Sequence, residues 1–232
     1  MAEGPLFYYV TDRAAFPGDE RARRMRLLDK IAEAASQGVN YIQFREKDLC
    51  TCELESLARE AMLILRKLRP DSEKSATSLL INSRSDVAMA IAADGVHLPA
   101  EDVSPAEVRL AWKRRAGFSG RSDRPPADED SPRDLIVSVS CHSPEEVARA
   151  ATNHATLAIF APIFEKKDMP GTNAAGLDAL HEGCRARLPV LALGGITLQN
   201  ADSCLRAGAA GIAAIRLFQE NDIGTVVREL RG

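Results

Sequence analysis

The chain has 232 residues, is 45% hydrophobic and 27% charged, and carries a formal net charge of −3. That length suits one soluble domain of the larger kind or two small ones, and slight acidity without a long basic stripe argues against a nucleic-acid partner. No apolar run approaches the ~20 residues that span a bilayer, and the N-terminus lacks a signal-peptide pattern. The five scattered cysteines fit reduced thiols of a cytoplasmic protein better than a disulfide framework or a zinc site.

Short apolar runs alternate with longer stretches of helical period. Strands are predicted over residues 6–10, 39–44, 78–81, 95–98, 135–139, 157–160, 190–193 and 211–215. Between them lie helical segments such as 21–36, 52–68, 105–115 and 144–151. Ser104-Pro105 and Ser143-Pro144 each read as an N-cap followed by proline at the first helical position, and Gly38 reads as a helix stop. About eight βα units in this length predict an α/β fold, a (β/α)₈ TIM barrel forming a single domain over 1–232. A doubly wound open sheet is the competitor, weakened by the lack of a G-x-G-x-x-G after the first strand. The stretch 117–133, rich in Gly, Ser, Pro and alternating charge, reads as a disordered insertion on the face away from the chemistry.

In such a barrel the active site gathers where strands end and βα loops begin. The second strand runs into Gln43-Phe44-Arg45-Glu46-Lys47. Strand side chains alternate faces, so Gln43, Arg45 and Lys47 are expected on one side, two cations and an amide together. Unpaired cations are costly to bury, so an anion must meet them, either a ligand or neighbouring carboxylates; a solvated edge strand is the plainer alternative. Other strand ends carry Thr11-Asp12-Arg13, Asn82-Ser83-Arg84, Glu101-Asp102, Ser140-Cys141-His142, Glu165-Lys166-Lys167, Gly194-Gly195 and Ile215-Arg216.

Gly194 and Gly195, before Thr197 and a helical pattern, suit a phosphate cradle, with Arg216 adding a charge-assisted bond; a tight strand-to-helix turn would use the same glycines. Asp102 and Glu101 could hold Mg²⁺ through hard oxygen ligands, or could simply precede a helix whose dipole favours negative charge. His142 suits an acid/base role or a structural one. Cys141 beside it faces the other way, and His97 reads as a packed barrel residue.

The chain resembles the family of thiamine phosphate synthase and its relative, the thiazole tautomerase. The likeness runs from Tyr8-Tyr9-Val10-Thr11-Asp12-Arg13 through Gln43-Phe44-Arg45-Glu46-Lys47, Leu80-Ile81-Asn82, Ala93-Asp94-Gly95-Val96-His97-Leu98, Ser138-Val139-Ser140, Pro162-Ile163-Phe164 and Gly194-Gly195-Ile196 to Ala207-Gly208-Ala209-Ala210-Gly211 and Ile215. It implies a transferase of thiamine biosynthesis that joins hydroxymethylpyrimidine diphosphate to thiazole phosphate and releases pyrophosphate. In that reading Arg45 and Lys47 hold the diphosphate, and Gln43 and Asn82 position the pyrimidine side. Asp102 ligates Mg²⁺ with Glu101 as a possible second ligand, Ser140 touches the leaving group, and Lys167, Gly194, Gly195, Ile215 and Arg216 serve the phosphates. Relatives of this kind are often homo-oligomers.

Three positions depart from the synthase pattern. Ser83 stands where that pattern has a second metal-binding Asp, Glu165-Lys166-Lys167 stands where it has Pro-Thr-x-Thr-Lys, and Leu98-Pro99-Ala100 replaces Gly-Gln. The tautomerase shares those changes and uses a histidine at the place of His142 as acid/base without a metal, but it lacks the full Gln-x-Arg-x-Lys set and Asp102. Synthase activity is therefore expected, with the tautomerase, or a non-catalytic binder of thiamine-pathway phosphates, as alternatives.

Overall fold

The computed structural model describes residues 4–68, 76–118, 134–165 and 173–232. Eight parallel strands close into one barrel in chain order, each hydrogen-bonded to the next and the last to the first. They are β1 (Leu6–Val10), β2 (Tyr41–Phe44), β3 (Ser78–Asn82), β4 (Gly95–Leu98), β5 (Ile136–Cys141), β6 (Leu157–Phe160), β7 (Val190–Ala192) and β8 (Gly211–Ala214). Among the described residues the helices are α1 (Glu20–Ser36), α2 (Thr51–Lys67), α3 (Ser85–Ile91), α4 (Pro105–Phe118), α5 (Pro144–Thr152), α6 (Gly176–Gly183), α7 (Leu198–Arg206), the short α8 (Arg216–Gln219) and α9 (Ile223–Arg231). The expected (β/α)₈ barrel is found, with α9 completing the last unit.

Helix ends follow the caps read from sequence. Ser143 accepts from Glu146 N with Pro144 behind it, and Ser104 and Glu107 hold each other across the first turn of α4. Gly38 sits just past α1 at φ +79°, a left-handed stop suited to glycine. α4 reaches Phe118 rather than ending at 115, because the run from Trp112 to Ala116 consists mostly of good helix formers that carry it past Gly117. Residues 117 and 118 of the predicted insertion therefore belong to this helix, and the rest of it, 119–133, lies outside the described residues.

Two apolar layers result. The larger lies between sheet and helices, around Phe7, Tyr9, Ile42, Phe44, Val96, Val137 and Phe160. The smaller fills the barrel with Tyr8, Val10, Leu80, Leu157, Ile159, Leu191 and Ala213. Closure of β8 against β1 uses Gly211, where a Cβ would fall 2.0 Å from the Leu6 carbonyl oxygen. A side chain there would force the strands apart.

Candidate active site

The residues facing the barrel axis divide by chemistry. From β2 to β5 they include Gln43, Asn82, His97, Ser138 and Ser140, whereas β6 to β8 contribute Leu157, Ile159, Leu191, Leu193, Ala213 and Ile215. The mouth thus has a hydrogen-bonding half and an apolar half. In the first, Gln43 Nε2 donates to Asn82 Oδ1 at 2.7 Å, and Asn82 Nδ2 donates to Ser83 Oγ at 3.0 Å. Ser83 sits at φ +60°, a left-handed conformation that Asn and Asp adopt more readily than other residues with side chains.

β2 stops at Phe44, so the pleat carries Gln43 inward but does not dictate the direction of Lys47. The following loop supplies it. Lys47 lines a cavity of about 350 Å³ with Phe44, Glu46, Asn82, Ser83 and Arg84, and is exposed there. Arg45 is half-buried, and its charge reaches His97. Among the described residues neither cation forms an ion pair.

The nearby carboxylates are taken instead by Arg13. This guanidinium, 4% exposed, meets Glu46 Oε2 at 3.1 Å, both Asp48 oxygens at 2.7 and 2.8 Å, and Glu20 Oε1 at 2.9 Å. Glu46 also accepts from Thr11 Oγ1 and from Arg13 N, while Thr11 Oγ1 accepts from Arg45 N at 2.9 Å. Burial pushes the Glu46 carboxyl up, against the Thr11 and Arg13 hydrogen bonds that pull it down. The hydrogen bonds from Arg13 hold Asp48 below its usual range. Sequence reading placed Arg13 only among strand-end polar groups and missed its part in this clamp. The available signal was the phase of Glu46, between two residues expected on the opposite face.

His97 is a packed barrel residue, as expected, but a hydrogen-bonded one. Nδ1 lies 2.7 Å from Ser138 Oγ and 3.3 Å from Tyr8 Oη, and Nε2 lies 2.9 Å from Ser140 Oγ. Burial, helped by the Arg45 charge, lowers its pKa to about 3, so the ring is neutral at physiological pH. Ser140 also lines a smaller cavity with Asp102, Val139, Glu146 and Arg149.

Asp102 and Glu101 are both exposed, and Asp102 Oδ1 accepts from Val103 N at 2.8 Å. Among the described residues no three carboxylate, imidazole or thiol groups gather to form a metal cage. A lone Asp at a barrel mouth still fits Mg²⁺, which commonly binds through one or two carboxylates together with substrate phosphates.

The apolar half opens into a cavity of about 300 Å³ lined by His142, Pro162, Leu193, Gly194, Gly195, Ile215 and Arg216. Gly194 and Gly195 have φ +103° and +65°. A Cβ on Gly195 would lie 2.8 Å from the Glu165 carbonyl oxygen, so loop packing alone already calls for glycine here. The phosphate reading rests on their position beside Arg216. His142 Nδ1 lies 2.6 Å from the Ala161 carbonyl oxygen, an acceptor only, so Nδ1 carries a proton and donates it. Cys141 is buried on the helix side, its thiol pushed up to about 12 by burial, and plays no nucleophilic part. Lys166 and Lys167 lie outside the described residues.

The family model described as thiamine monophosphate synthase matches residues 7–129 and 119–218. The chain belongs to this family. The thiamine-phosphate synthase of Roseiflexus sp. (strain RS-1) is 34% identical over 216 residues, which cover 91% of this chain and 77% of that one. The thiamine-phosphate synthase of Clostridium acetobutylicum is 32% identical over 211 residues, covering 90% and 84%. Among solved structures, thiamine phosphate pyrophosphorylase from Pyrococcus furiosus superposes with a TM-score of 0.72 at 25% identity, over 97% of this chain and 93% of that one. A 3-hexulose-6-phosphate synthase, at 15% identity and a TM-score of 0.62, shares the fold alone. Membership makes the chain a transferase of thiamine biosynthesis, of the thiamine-phosphate synthase kind. The comparisons lend no support to the tautomerase alternative.

Proposed function

We propose that the mouth of this barrel condenses hydroxymethylpyrimidine diphosphate with thiazole phosphate, giving thiamine phosphate and pyrophosphate. The observation that carries the reading is the pair Arg45 and Lys47, set at the strand end beside Gln43 and Asn82 and without a carboxylate partner among the described residues. A diphosphate can accept charge-assisted hydrogen bonds from both cations at once.

In this mechanism Arg45 and Lys47 grip the diphosphate and balance the negative charge that grows as the methylene carbon–oxygen bond breaks. Gln43 and Asn82 orient the pyrimidine, and Ser140 donates to the departing pyrophosphate. The thiazole ring lies on the apolar half with its phosphate against Gly194, Gly195, the Ile215 backbone and Arg216, and with Lys167 as a further cation. Its nitrogen lone pair then forms the new carbon–nitrogen bond. His142, held through Nδ1, lines the same cavity as a candidate acid/base group, with no proton to move in the carbon–nitrogen bond-forming step itself. Asp102 would hold Mg²⁺ with Glu101 in support. When bound, that ion supplies further charge neutralisation to the leaving group.

The reading includes a single barrel domain across 1–232, with 117–133 as an insertion apart from the helical residues at its start, a cytoplasmic location, and self-association into homo-oligomers. Its partners are phosphorylated pyrimidine and thiazole compounds, not nucleic acid or membrane. Among the described residues no helix is long and apolar enough to cross a membrane.

The test incubates purified protein with both phosphorylated substrates and Mg²⁺. Formation of thiamine phosphate and pyrophosphate in equal amounts is expected. A folded protein that yields neither at saturating substrate overturns the assignment.

A further inference from the structure

Tyr8, His97, Ser138 and Ser140 form a polar chain running from the barrel interior to its mouth, and its direction follows from counting protons. Tyr8 and Ser138 are fully buried and His97 is 4% exposed, so each donor in the chain must find an acceptor inside it. Tyr8 Oη has two neighbours that could accept, Ser138 Oγ at 3.0 Å and His97 Nδ1 at 3.3 Å.

Suppose Nδ1 carried the imidazole proton. Three protons would then crowd the triangle formed by Tyr8, Ser138 and Nδ1, with two oxygens to receive them. The tyrosine and serine hydroxyls cannot both donate along the one line that joins them, so one buried hydroxyl would be orphaned. With Nδ1 unprotonated the count closes: Tyr8 donates to Ser138, and Ser138 donates to Nδ1. The single proton of the neutral ring then sits on Nε2, and it donates to Ser140 Oγ at 2.9 Å. Ser140 has accepted, and among the described residues its own hydroxyl proton has no other recipient, so it is left for a ligand at the barrel mouth, where Ser140 is partly exposed.

We propose that His97 is a positioning residue that donates through Nε2–H to Ser140, so that Ser140 presents its hydroxyl proton, rather than its lone pairs, to the leaving pyrophosphate. This deepens the synthase reading and rests on it for the identity of the anion. It adds a reason for histidine at this depth: an apolar residue would fill the space but leave Ser140 free to rotate. The neutral state is held by burial and by the nearby Arg45 charge.

The test has two arms. In protein labelled with ¹⁵N-histidine, the His97 resonances are assigned by their loss in His97→Leu or, if that variant does not fold, by their contacts to the Ser138 and Ser140 protons. The expected result across neutral pH is a proton on Nε2 and none on Nδ1. A proton on Nδ1, or on both nitrogens, overturns the proposal whatever the enzyme's activity. In the second arm, His97→Leu lowers kcat about ten-fold at nearly unchanged KM, as expected when an anion-facing donor is loosened rather than removed. On a Ser140→Ala background the same substitution changes kcat no further. Equal losses on both backgrounds would mean that His97 acts only by supporting the fold, which also overturns the proposal. Failure of the wild type to make product overturns the synthase assignment and leaves the tautomer result to stand by itself.

Discussion

Arg13 and Glu46 meet as a buried ion pair, Nη1 to Oε2 at 3.1 Å, with Glu46 placed in the chain between the two cations assigned to the diphosphate. The carboxylate that could have neutralised Arg45 or Lys47 is thereby occupied. Asp48, the next acidic residue, is held by the same guanidinium. Charge at the mouth is kept free by charge balanced just outside it.

Arg13→Ala leaves Glu46, whose side chain is 1% exposed, without its cation, and a broken buried pair costs about 3–5 kcal/mol. Denaturant unfolding should show a loss of that order. Glu46→Gln on the Arg13→Ala background should recover part of it, since the unpaired charge is then gone.

Arg45→Ala and Lys47→Ala should behave in the opposite way. Neither breaks an ion pair among the described residues, so the unfolding midpoint should hold. Each removes a charged contact of roughly 1.5–3 kcal/mol, so kcat/KM for the diphosphate substrate should fall about 10- to 100-fold. Steady-state kinetics with each substrate varied in turn will separate this from a loss at the thiazole end.

The pKa of His97 lies at about 3 in the folded protein against 6.5 ordinarily, so the unfolded chain binds the extra proton first. Stability from this group is complete above pH ~6.5 and is lost as pH falls toward the folded value, by about 1.4 kcal/mol per pH unit. Unfolding free energies measured at pH 7, 6 and 5 should fall faster in the wild type than in His97→Leu. Parallel slopes would remove the buried neutral imidazole from the account.

Removal of metal with EDTA should abolish product formation, and Mg²⁺ should restore it. Asp102→Ala should raise the Mg²⁺ concentration needed for half-maximal rate. Ser83→Asp should lower that concentration, because the left-handed backbone at Ser83 accepts Asp without strain and a second carboxylate is added beside the mouth.

Much of the fold was legible because period and punctuation agree. β1, β4 and β6 have the predicted bounds, and the serine caps of α4 and α5 lie where Ser-Pro pairs signalled them. β2 is shorter than the predicted 39–44 because Val39 N bonds back to the Ala34 carbonyl in α1, while Asn40 bonds Phe7 and Ser78 as a lead-in rather than as ladder. Of the mouth residues, Gln43 could be read from strand phase, and Asn82 and Ser140 from their place at strand ends. The clamp under Glu46 and the chain through His97 could not, since each joins residues distant in sequence whose partnership depends on barrel register. For Gly194 and Gly195 the sequence left turn and cradle open, and both apply: the loop packs on them and the cavity includes them.

The division of the mouth into wet and oily walls has a pharmacological corollary. A molecule with an anionic group at each end, a heteroaromatic amine near one and a plain hydrophobic ring near the other, would engage both rims at once. Such a two-headed compound, mimicking the joined product with pyrophosphate still attached, should outcompete either substrate mimic alone by far more than the sum of their separate effects.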